Sequence, residues 1–202
     1  MQFDPQKLRE AVLYVVSRSR PDELGAVKLN KVLYYADMLS YAFIGNALTG
    51  APYKKRPFGP TSDKILFALR DLENEGEIAI RSSDYFGYRK TEYEVTKSFV
   101  RDRLSEGETC LLDDVIDFVC RQNTAKTISE FSHDASWDAV TYGEEIPYLA
   151  AYNLLPNQSD LEDLRWAENE GRSIANQRSA SKAVDIRHYR DFRSRVLQAL
   201  GW

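Results

Sequence analysis

Apolar residues recur along most of this chain at three- and four-residue intervals, the spacing of one helix face. Over residues 5–19 that face is Leu8, Ala11, Val12, Val15 and Val16, and Pro5 suits the first turn. SRPDELG is a connector. KLNKVLYYADMLSY (28–41) begins a second helix, running to about residue 43, with three stripes instead of one. Leu29, Val32, Leu33, Ala36, Leu39 and Phe43 form an apolar stripe. Asn30, Tyr34, Asp37 and Tyr41 form a second, and Lys28, Lys31 and Tyr35 a third. GNALTGAPYKKRPFGP reads as a loop because of its Gly and Pro content. TSDKILFALRDLENEG reads as a helix with Pro60 in its first turn, Ile65, Leu66, Leu69 and Leu72 on one face, and Gly76 as its stop.

In EIAIRSSDYFGYRKTEYEV the period changes to two. Ile78 and Ile80 alternate with polar residues, as do Tyr93 and Val95, which predicts a β-hairpin turning near 83–87. A helix over 106–122 follows, with Leu111, Leu112, Val115, Ile116 and Val119 inward. Thr127 and Glu130 suit a capping box, Ser132 suits the cap of a helix beginning at His133, and Pro147 opens PYLAAYNLL. The expected fold is mainly α with a small β-hairpin, a helical body whose helix–helix–hairpin order over 25–95 is winged-helix-like. Residues 1–157 form the expected body. Residues 158–202 form an extension: a polar helix, a small-residue linker NQRSASKA, and a final amphipathic helix. Ile186, Tyr189, Phe192, Val196 and Leu200 lie on one side of that last helix, with Arg187, Arg190, Arg193 and Arg195 spread over the rest.

Charge sharpens this division. Residues 1–171 carry 20 basic and 29 acidic side chains, whereas 172–202 carry 7 and 2. The net charge of −4 over 202 residues does not mark a nucleic-acid binder. No run reaches the roughly 18 apolar residues of a membrane span, and the N-terminus lacks a signal-peptide pattern. Cys110 and Cys120 lie about 15 Å apart along one expected helix, too far for a disulfide, which fits a reduced, cytoplasmic protein.

The chain lacks the motifs of common chemistries. It has no Gly-rich phosphate loop, and its two histidines and two cysteines lack metal-ligand spacing, so no cofactor and no metal site is expected. Ser129, His133 and Asp134 are the residue types of a hydrolytic triad, but a triad is defined by geometry, and capping and packing account for them better; no catalytic residue is assigned. The alternative function is DNA binding through the helix at 60–76. Its Lys64 and Arg70 face Asp63, Asp71, Glu73 and Glu75, a net −2 surface that phosphates would repel. Lys54, Lys55 and Arg56 form a basic cluster suited to a solvated loop or an acidic partner. Asp37 is too costly to bury alone, so with Tyr34 it is expected to hold the loop at 48–60, accepting from backbone amides or a tyrosine hydroxyl. Lys28, Lys31 and Tyr35 are expected at a surface.

KLNKVLYYADML, ALTGAPYKKRPFGPTSDKI, ISEFSHDASWDAV and GEEIPYLAAY, in that order, resemble the Panacea (SocA-like) antitoxin domain over about residues 8–155. Phe58 stands where that family often has Tyr, and Thr61 where an aliphatic residue is usual. The resemblance implies a non-enzymatic antitoxin that neutralises a cognate protein toxin by direct contact, in at least one kind also delivering it to a cytoplasmic protease. It carries Lys28, Leu29, Lys31, Tyr34, Tyr35, Ala36, Asp37, Thr49, Gly50, Tyr53, Phe58, Gly59, Pro60, Ser132, His133 and Trp137 into a shared scaffold. The expected partner surface is Lys28, Lys31, Tyr35, Lys54, Lys55 and Arg56, with Arg187, Arg190 and Arg193 of the tail. The last helix is expected to dock on the acidic body ahead of a toxin groove or a membrane.

Overall fold

The N-terminal helix α1 (Pro5–Arg18) starts where Asp4 accepts hydrogen bonds from the Gln6 and Lys7 amides and Pro5 takes the first turn. Its apolar face is buried as the spacing predicts. These features come from a computed structural model that describes residues 2–155, Phe86 excepted. The extension from 158, with Arg187, Arg190 and Arg193, lies outside the described residues.

Helix α2 (Ala26–Ile44) is the axis of the fold. It packs against α1 and also against α4 (Glu106–Ile116), α5 (Ala125–Phe131) and the 3₁₀ segment Tyr148–Leu154. Every residue from Lys31 to Ser40 is therefore buried. That explains its three stripes, since a helix surrounded by neighbours has no solvent face to fill with free polar side chains. It ends at Gly45, whose φ of 74° is the left-handed stop a Cβ would oppose.

Strand β1 (Tyr53–Lys54) lies within the loop between α2 and the next helix. Helix α3 (Asp63–Asn74) begins after Ser62, whose hydroxyl accepts from the Lys64 amide, so Pro60 lies ahead of the helix and not in its first turn. Ile65, Ala68, Leu69 and Leu72 are buried and α3 packs on α1, while Leu66, expected inside, is exposed. Strands β2 (Ile78–Tyr85) and β3 (Tyr88–Val95) pair antiparallel with Ile80 opposite Tyr93. The helix–helix–hairpin order is present, and the fold is mainly α with a small β-hairpin. A second antiparallel pair joins β1 to β4 (Glu145–Ile146), tying the loop to the far end of the body.

Four local expectations are corrected. The helix expected over 106–122 is α-helical only to Ile116; Asp117–Gln122 winds as a π-helix. Phe118, Val119 and Cys120 are all buried in this π-helical turn. The capping box of α5 is Thr124 with Thr127, each side chain taking the other's amide, because the helix starts at Ala125. Asp134, not Ser132, caps the short α6 (Ala135–Asp138), and PYLAAYNLL winds as a 3₁₀ segment.

One long-range anchor had no sequence signal. Glu10, buried on α1, accepts the backbone amides of Asp102, Arg103 and Leu104, fixing the approach to α4. No helix among the described residues is long and apolar enough to cross a membrane.

Candidate functional site

Several of the residues singled out in the sequence, Lys31, Tyr34, Asp37 and Ser132 among them, converge on the loop between α2 and α3. Asp37, fully enclosed, uses both carboxylate oxygens. Oδ1 accepts from the Thr49 amide at 2.5 Å and the Gly50 amide at 3.1 Å. Oδ2 accepts from the Thr49 hydroxyl at 2.6 Å and the Tyr53 hydroxyl at 2.7 Å. Burial raises the Asp37 carboxyl pKa, while these donors pull it back down. The loop anchor expected for Asp37 is the one observed. Tyr34 stacks edge-on against Tyr53, with ring centroids 5.2 Å apart. Tyr148, not singled out in the sequence, completes the cage: its hydroxyl donates to the Ala51 carbonyl at 2.7 Å.

The far end of the loop is held differently. Lys31 Nζ donates to the Pro60 carbonyl at 2.9 Å in a buried setting. Desolvation lowers its pKa to about 7. Gly59 lies against it with φ 84°; a Cβ there would fall 2.1 Å from Ser132 Oγ and 2.6 Å from Lys31 Nζ. Ser132 is itself fully buried and donates to the Ser129 carbonyl at 2.7 Å. Three separated motif pieces thus meet at one glycine that leaves no room for a side chain.

This arrangement corrects the expected partner surface. Lys31 and Tyr35 are each only 1% exposed, because α5 and the π-helical segment close over that side of α2. Tyr35 packs among Tyr34, Phe118 and Phe131, and its hydroxyl has no hydrogen-bond partner among the described residues. Lys28 is half-buried and donates to the Cys120 carbonyl at 2.8 Å; burial lowers its pKa and raises that of the Cys120 thiol to about 11. Leu29 is a core residue.

Lys54, Lys55 and Arg56 are half-buried. Lys54 pairs with Asp63 at 2.9 Å, and Arg56 reaches the same carboxylate at 3.8 Å. Lys55 Nζ sits 3.9 Å above the Trp137 ring, whose other neighbour is the His133 ring, stacked at 4.0 Å. Trp137 Nε1 donates to the Arg56 carbonyl. Asp134 Oδ1 takes the Ser136 and Trp137 amides, so His133 and Asp134 serve packing and capping. On α3, Lys64 lies over the Phe3 ring and Arg70 over Phe67, beside exposed Asp71, Glu73 and Glu75.

A family model described as "Antitoxin SocA-like, Panacea domain" matches residues 29–138, a little more than half of the chain. The span takes in Lys31, Asp37, the whole loop and Ser132, and stops short of β4 and Tyr148. Comparisons with curated proteins and with solved structures give no match.

Proposed function

Since the chain belongs to the SocA-like antitoxin family of Panacea domains, we propose that it neutralises a cognate protein toxin by direct binding, in the cytoplasm and without catalysis. One observation carries this reading. Lys31, Asp37 and Ser132 are buried and engaged with the loop or with their own helix turn, so the family motif builds a scaffold and leaves the surface around the loop for a partner. Residues 158–202 act as an extension to this body.

The α3 face does not favour the DNA-binding alternative, because its two cations lie over aromatic rings amid exposed carboxylates. Co-expression with the product of the adjoining reading frame tests the proposal. Growth arrest by that product alone, relieved by this protein in a one-to-one complex, is the expected result. A harmless neighbour, or arrest that persists, rejects it. An adaptor role uses the same contact and adds one expectation: the toxin's half-life shortens when this protein is present.

A further inference from the structure

Phe58 is a large apolar side chain left 66% exposed, in a closely restrained part of the loop. The Lys54 and Thr61 amides and carbonyls pair across it at 2.9 and 3.1 Å, and the Gly59 amide closes a turn onto the Arg56 carbonyl at 2.9 Å. Phe58 is therefore at the tip of a miniature hairpin. That hairpin is clamped from beneath by Lys31 on Pro60 and by the absence of a Cβ at Gly59. It is clamped from the side by Trp137 on Arg56, and by the Lys55 amide on the Glu144 carbonyl. Nothing in the core needs a phenyl ring there. A rigid aromatic held in water loses little conformational freedom on binding, which is how interface anchors work.

We propose that Phe58 is the anchor of the toxin-binding surface, entering an apolar pocket rimmed by carboxylates on the partner; this rests on the antitoxin reading above. The cations that precede the ring in the same hairpin, Lys55 and Arg56, set the charge expected of the rim. Lys55 has no carboxylate partner among the described residues, and Arg56 has only the 3.8 Å approach to Asp63. Exposed Tyr142, 6.0 Å from the Arg56 guanidinium, extends the same face. The motif thus acts as a mount, and the bound feature is the ring it holds out.

The test uses the full chain and the adjoining reading frame's product, read by titration, growth rescue and thermal unfolding. Phe58→Ala is expected to melt like the wild type, to bind at least about 30-fold more weakly, on the scale of an interface anchor, and to lose rescue. Phe58→Tyr keeps the ring and is expected to bind and rescue. Lys55→Glu is expected to weaken binding and reduce its salt dependence. Val100→Ser, which removes an even more exposed apolar residue elsewhere, is expected to change nothing. Wild-type affinity in Phe58→Ala overturns the proposal while leaving the antitoxin reading intact. Failure of the wild type to neutralise the neighbour overturns both.

Discussion

The two ends of the α2–α3 loop are tied to the same helix by opposite charges, and the ties are unequal. At the first end an anion is saturated: Asp37 meets two amides and two hydroxyls within 2.5–3.1 Å. At the second end Lys31, whose ammonium form can donate three hydrogen bonds, has one acceptor among the described residues, the Pro60 carbonyl. A buried charge is tolerable in proportion to the partners around it. The Asp37 end is therefore an anchor whose removal leaves several donors stranded. The Lys31 end depends more on fit, with Gly59 and Ser132 closing around a group whose ionisation is disfavoured.

Asp37→Ala should break this comparison most strongly. It leaves four donors without their acceptor, so a loss of roughly 2–4 kcal/mol in urea unfolding is expected; wild-type stability would mean the loop is held by something else. Gly59→Ala comes next. The left-handed φ and the 2.1 Å approach to Ser132 Oγ predict a loss of about 2 kcal/mol, and an unaffected melting temperature would show that this end yields easily.

The pH dependence of Lys31 is the subtlest effect. Its folded pKa of about 7 lies below the ordinary 10.5, so between those values the unfolded chain holds more protons. Stability contributed by this group therefore rises with pH from about 7 upward, by at most about 1.4 kcal/mol per pH unit. Below 7 the full cost of the buried ammonium is present. Lys31→Met should flatten the profile between pH 7 and 9 relative to wild type. Parallel profiles would show that Lys31 stays charged in the fold.

What was legible in the sequence follows the same physics. Asp37 announced its role because a carboxylate within a tyrosine stripe of a helix has to find donors nearby, and the polar loop stood 12 residues on. Lys31 and Tyr35 were misjudged as surface because stripe arguments assume a helix with a wet face, and α2 has none over Lys31–Ser40. Glu10 gives no signal in the sequence, and Tyr148 lies within the GEEIPYLAAY motif without a role of its own being legible. Their partners lie more than 90 residues away in sequence, so no local pattern predicts the contact. The π-helical stretch was hidden because an apolar run at 118–120 extends a helical stripe as plausibly as it ends one.

The central claim is that the family motif holds the loop from within. Hydrogen exchange at the Thr49 and Gly50 amides tests it most directly, compared between wild type and Asp37→Asn at a temperature where both are folded. The amide side of the substituted side chain cannot accept, so one set of Asp37's bonds is lost. The account predicts that protection at Thr49, Gly50 or both falls in Asp37→Asn while the interior amides of α1 and α4 keep theirs. Unchanged protection at both loop amides would contradict it.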